Sequence, residues 1–229
     1  MYNQEDFAYN EYNEPYFKNG KEYPPFLKFV KGAIPLEVIK IMDIEYSMMK
    51  NCMETMKNYE GFNDPTVPNS FSWYSPLCFE ALSEYIKPII EKEVGAELHS
   101  TYSYSRIYMN GSELVKHTDR KSSQLSASCC IRKEDHISWP LYFKTSDSII
   151  GYDMDPGDLV IASGSVIPHW REKYTGNEHM QAFLQYVYAD GKYQHLKYDT
   201  RPCMAAPYDT VQQYIIDEVE RRKIHPLIT

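Results

Sequence analysis

The chain lacks several features that would assign it early. No apolar run approaches the ~18 residues that a membrane-spanning helix needs, and no internal repeat is apparent. The start, MYNQEDFAYN, has neither a positive n-region nor an apolar h-region, so no signal peptide is visible and a cytoplasmic chain is expected. The 5 cysteines include no Cys-x-x-Cys pair and leave an odd thiol, which reads as free thiols in a reducing compartment. Basic residues are the minority, 24 against 32 acidic, for a net charge of −8. A protein that held nucleic acid by its backbone would show the opposite balance, so nucleic acid is disfavoured as a charge-driven partner.

What is present is 229 residues, 43% hydrophobic and 24% charged, enough for one large or two small globular domains. Tyrosine stands out, with 21 residues against 9 phenylalanines. Its apolar ring and polar tip suit pocket walls and interfaces without naming a ligand.

Residues 1–24 are rich in Asn, Tyr, Glu and Pro with no period, and read as an irregular arm that packs by its tyrosines or stays mobile. Helices are expected across 35–95. Pro35 opens the first, with an apolar stripe of Val38, Ile39, Met42, Met49, Met53 and Met56 read as core packing. Asp64 to Ser70 marks a loop. Ser75 and Pro76 resemble an N-cap and first helical residue, opening a helix towards Gly95 that Pro88 should kink or divide.

From about residue 97 the period becomes short. Ser100 to Tyr108, Glu113 to Arg120, Leu125 to Ile131, Trp139 to Lys144, Ile149 to Tyr152, Leu159 to Ser163, Val166 to Arg171 and Met180 to Tyr188 read as strands. Turn signals such as Asn110-Gly111 and Asp155-Pro156-Gly157-Asp158 divide them. Consecutive short strands without helical spacers predict an antiparallel sandwich or barrel core over 97–190. On a strand the neighbours Cys129 and Cys130 would point to opposite faces. A last helix is expected over 208–223. The whole is a mainly β, α+β chain: the arm, then a single domain over 25–229.

The chemistry concentrates in Tyr108-Met-Asn-Gly111-Ser-Glu-Leu114-Val-Lys-His117-Thr-Asp119-Arg120. Residues two apart on a strand share a face, so His117 and Asp119 can project together as two ligands of a facial triad. That triad suits non-haem Fe(II), because it leaves positions open for substrate and dioxygen. His169 is the candidate third ligand, and Arg171, two residues on, should share its face. An inward cation there is costly unless it meets an anion.

The stretch resembles the Fe(II)/2-oxoglutarate-dependent oxygenases, nearest their prolyl 4-hydroxylase-like branch. That branch carries Tyr-x-x-Gly-x-x-Tyr-x-x-His-x-Asp, matched from Tyr108 to Asp119 except that Leu114 replaces the second tyrosine. His169-Trp170-Arg171 through Gln181-Ala-Phe-Leu-Gln-Tyr186 is also similar to phage and bacterial members of unassigned substrate. The resemblance covers about residues 97–190. It implies a double-stranded β-helix, a cupin-like jelly roll, with His117, Asp119 and His169 holding Fe(II). It further implies 2-oxoglutarate as cosubstrate, dioxygen as oxidant, and hydroxylation of a peptidyl or small-molecule substrate.

The branch's lysine ten residues after the distal histidine is missing; His179 stands there. Arg171 is the first alternative for the cosubstrate's far carboxylate and Lys144 the second, with His179 or Gln181 adding a hydrogen bond. Tyr108 matches the family tyrosine whose hydroxyl contacts the cosubstrate. Two other classes stay open. One is a Zn(II) or Mn(II) hydrolase or lyase on the same three ligands; the other is a non-catalytic sandwich that binds a peptide or sugar.

Overall fold

The computed structural model describes residues 4–11, 13–62 and 64–206. The expected helix over 208–223 lies outside the described residues. Among them no helix is long and apolar enough to cross a membrane.

Two short strands, β1 (Phe7–Tyr9) and β2 (Pro15–Phe17), pair as a hairpin, so the arm is not irregular throughout. It is also tied down: the Phe17 amide donates to the Lys192 carbonyl and Lys21 to that of Asp190, both at 2.9 Å. The pattern hid this because three-residue strands are too short to display a period.

Then come β3 (Leu27–Val30), α1 (Leu36–Thr55), β4 (Ser70–Tyr74) and α2 (Leu77–Val94). On α1, Val38, Ile39, Met42, Met49 and Met53 pack against the core as expected, but Met56 is exposed, sitting past the last helical turn at the C-cap. Pro76 rather than Ser75 is the N-cap of α2, with Ser75 in the left-handed region at φ 51°. Pro88 does not divide α2, and the helix runs on to Gly95, whose φ of 69° closes it as glycine can.

The remaining strands are β5 (Leu98–Met109), β6 (Leu114–His117), β7 (Leu125–Arg132), β8 (Leu141–Lys144), β9 (Ile149–Tyr152), β10 (Leu159–Ala162), β11 (His169–Arg171) and β12 (Glu178–Tyr188). They form two antiparallel sheets. The larger has the order β3-β10-β7-β12-β5-β4 and the smaller β6-β11-β8-β9. Expected strands over 97–190 all recur, while β3 and β4 add to them, and Ser70 opens β4 instead of closing the loop expected over 64–70.

Strand alternation divides the larger sheet between two cores. Ala127, Cys129 and Ile131 of β7, with Leu159 and Ile161 of β10, pack under α1 and α2. Cys130, Val160 and Ala162 face the smaller sheet and meet Leu141, Phe143 and Trp139. Cys129 and Cys130 thus serve opposite faces. The same alternation turns Tyr102, Tyr104, Arg106 and Tyr108 of β5 into the space between the sheets, where the site lies.

Candidate metal centre and its cavity

β6 and β11 are neighbours, and their register places His169 opposite His117. The two imidazole centroids are 4.4 Å apart. Each ring is oriented by its own chain: the His117 Nδ1–H donates to the Val115 carbonyl at 2.8 Å and the His169 Nδ1–H to that of Ile167 at 3.0 Å. This tautomer leaves both Nε2 lone pairs free, the arrangement that metal-ligating histidines use. Both point at one carboxylate oxygen, Asp119 Oδ1, at 3.5 Å from His117 and 3.6 Å from His169. Ligand atoms of the three residues all lie within 4.8 Å of one another.

Asp119 arrives by a route the pattern did not anticipate. β6 ends at His117, so Asp119 is not its strand neighbour on a shared face. Its backbone N–H is instead held by the Gly164 carbonyl at 2.9 Å. The approach is so close that a Cβ on Gly164 would collide with the Asp119 carboxylate. Gly111, the motif glycine, has φ 86° and donates its amide to the Tyr174 carbonyl, turning the chain from β5 into β6.

The electrostatics of the two histidines differ. The hydrogen-bonding Asp119 carboxylate raises the His117 pKa above the ordinary imidazole value. Burial lowers that of His169, more than Asp119 restores it. A neutral His169 is the form a metal requires.

The triad opens on a cavity of about 570 Å³. Its walls include Leu114, which stands where the motif has tyrosine, together with Phe183, Gln185, Tyr102, Arg106 and Arg120. Arg106 was missed in the sequence. It is buried, paired with Asp64 through Nη2, and Asp64 also accepts from Tyr104 Oη at 3.0 Å and from the Thr66 amide at 2.8 Å. Burial alone would raise Asp64, but Thr66 and the Arg106 guanidinium outweigh it and hold the carboxyl at about 2. At the opposite rim Arg120 makes a two-pronged pair with Asp199, at 2.8 and 2.6 Å, and lies 4.2 Å over the Tyr102 ring. Asp199 sits in three successive left-handed residues, Tyr198, Asp199 and Thr200.

Arg171 lies between the sheets, 1% exposed. Nη1 donates to the Trp139 carbonyl at 2.7 Å and Nη2 to Gln181 Oε1, both neutral acceptors, while the guanidinium stacks 4.3 Å from the Trp139 ring. No carboxylate pairs with it among the described residues. Its Nε has no partner and neither has Gln181 Nε2, while the Tyr108 hydroxyl, which lies beside the Arg106 guanidinium, has no acceptor for its proton. The three buried groups can all donate, and such vacancies are costly unless an acceptor fills them. His179 is buried beside them; burial, then the Arg171 charge, pushes its pKa far down, so it offers a hydrogen bond and not a cation. Lys144 is not brought to this place. It is exposed at the end of β8, on the opposite face from buried Phe143.

No protein-family model matches the chain, and neither does any curated protein. Solved structures do match in fold. A prolyl-4-hydroxylase from Pseudomonas putida aligns with a TM-score of 0.54 at 11% identity, covering 71% of this chain and 92% of that one. HygX from Streptomyces hygroscopicus, crystallised with nickel and 2-oxoglutarate, gives 0.53 at 11%, with 71% and 82% covered. The viral collagen prolyl hydroxylase of Paramecium Bursaria Chlorella virus-1, in its 2-oxoglutarate complex, gives 0.52 at 10%, with 70% and 95% covered. The chain therefore folds as the double-stranded β-helix of the 2-oxoglutarate and Fe(II) oxygenases.

Proposed function

We propose that the protein is an Fe(II)- and 2-oxoglutarate-dependent oxygenase that hydroxylates an unactivated C–H bond of a peptidyl or small-molecule substrate. The observation that carries this is the convergence of two Nε2 atoms and one carboxylate on a common point in an open cavity. Two imidazoles and one carboxylate suit Fe(II) and leave its other positions free. His117, Asp119 and His169 would hold the metal. Once bound, iron and 2-oxoglutarate would supply the oxidising power that no side chain of the protein possesses.

The remaining work falls to the chain. Tyr108 Oη, Arg171 Nε and Gln181 Nε2 are buried donors without acceptors, the complement of a carboxylate. In this reading Arg171 takes the charge of the cosubstrate's far carboxylate and Tyr108 and Gln181 fix its angle. Leu114 and Phe183 present apolar surface in the cavity wall beside the triad, and Phe143 stacks against His169. Asp119, tied to Gly164, cannot drift from the two histidines.

The test is succinate formation from 2-oxoglutarate in the presence of Fe(II), with the visible absorption of the anaerobic Fe(II)–2-oxoglutarate complex as a check independent of turnover. His117→Ala and His169→Ala should each abolish both signals while the fold survives. A Zn(II) or Mn(II) hydrolase on the same ligands would release no succinate and show no such band, and a non-catalytic sandwich would show neither. Turnover that survives in the double variant would remove the assignment.

A further inference from the structure

The cavity wall carries a group whose hydrogen-bonding capacity is unspent, at the end lined by Ser126. Gln185 of β12 is 4% exposed and lines the cavity wall. Its Oε1 is buried without a partner. Its Nε2 makes no hydrogen bond among the described residues either. Which amide atom is which is set by partners, and here no partner decides it. One end of the carboxamide is buried and the other faces the cavity, so it can present a donor or, turned over, an acceptor there.

Its surroundings narrow what it can receive. Ser126 of β7, also in the cavity wall, stands opposite it in the sheet register and brings a hydroxyl. The cations nearby are already matched: Arg120 by Asp199 and Arg106 by Asp64. Apart from Asp119, committed to the triad, this end of the cavity holds no unmatched charge among the described residues. An ammonium or carboxylate entering here would lose its hydration without gaining a counterion. Phe183, two residues before Gln185 on the same face of β12, adds an apolar surface on the path to the triad.

We infer that Gln185 reads a neutral amide of the primary substrate through one hydrogen bond, its carboxamide oxygen turned to the cavity and accepting from the N–H of that group. This deepens the oxygenase reading, on which it rests: the substrate would present an uncharged amide within reach of the triad, as a peptide or an amide-bearing small molecule does. Gln185 is then a specificity-determining residue. A site built to hydrogen-bond a donor rejects the analogue that lacks it more strongly than an apolar pocket rejects a missing methylene.

The probes are N-methylacetamide, which has an N–H, and N,N-dimethylacetamide, which lacks it. Saturation-transfer NMR would be run on the full chain loaded with diamagnetic Zn(II) and 2-oxoglutarate. The expected result is transfer to N-methylacetamide at least about fivefold above that to the dimethyl compound, a modest share of what one buried hydrogen bond can discriminate. Gln185→Leu should erase the difference. Gln185→Glu, nearly isosteric, keeps an acceptor and serves if the leucine variant fails to fold; it should retain the preference in reduced form. Equal transfer to both amides in the unaltered protein, or a preference that survives Gln185→Leu, overturns the inference. Because no turnover is measured, absence of succinate formation would remove the oxygenase reading without touching this result.

Discussion

Arg106 and Arg171 are both buried guanidiniums facing the space between the sheets, one from each sheet, and they are compensated in opposite ways. Arg106 has a dedicated carboxylate in Asp64, itself held by Tyr104 and Thr66. Arg171 has only a carbonyl, an amide oxygen and two aromatic faces. Desolvation opposes the charge of both. A cation whose counterion is built in serves the fold. One whose counterion must come from outside is a receptor.

This contrast can be broken in several ways, the largest through Asp64. Asp64→Ala leaves Arg106 buried without its acid and should cost about 3–5 kcal/mol, read as a lowered urea midpoint. Asp64→Leu combined with Arg106→Met should recover much of that loss, since neither charge is then stranded. A single variant as stable as the unaltered protein would mean that Arg106 is not held by Asp64 in solution.

Next in size is Arg171→Ala. Truncating one partner of a charge-assisted pair in a dry pocket costs on the order of 2–5 kcal/mol. The 2-oxoglutarate constant should therefore rise roughly 30-fold or more, since 1.4 kcal/mol is tenfold. Fe(II) affinity, measured separately by anaerobic titration, should change far less. If iron binding falls in parallel, Arg171 supports the triad and not the cosubstrate.

A smaller effect sharpens the Arg106 side. The folded carboxyl of Asp64 titrates at about 2, below an ordinary aspartate. A depressed folded pKa makes the unfolded chain the stronger proton binder, so this contribution is complete above about pH 4 and fades as pH falls towards 2. Unfolding free energy should drop over that interval, and Asp64→Asn should flatten that part of the curve. A curve unchanged by the substitution would detach the pair from acid stability.

The smallest expected effect is on Lys144. It is exposed and turned away from the cavity, so Lys144→Ala should alter the 2-oxoglutarate constant by less than about twofold. A large rise would move the anion to the other face of β8, against its burial pattern.

Much of this architecture was legible because the strands from 97 to 190 alternate cleanly and are separated by strong turn residues. His117 and His169 were legible as well, from residue type and motif spacing. Asp119 was found for an incomplete reason: strand alternation suggested it, whereas the Gly164 carbonyl positions it. Arg106 was passed over although Tyr102, Tyr104 and Tyr108 mark its inward face, because a buried arginine is rare and its partner lies 42 residues away. β3 and β4 escaped because the signals beside them point elsewhere: Pro24 and Pro25 set β3 against the arm, and Pro68, Asn69 and Ser70 read as loop although Ser70 opens β4.

Gly164 has a consequence for anyone who reads relatives of this chain by their ligands alone. The position belongs to no motif and touches the centre only through backbone and the space it leaves free. A substitution there would displace the carboxylate while leaving the His-x-Asp and distal histidine letters unchanged. A sequence that keeps all three letters and carries a bulky residue at this point should be suspected of being a scaffold that has lost its metal.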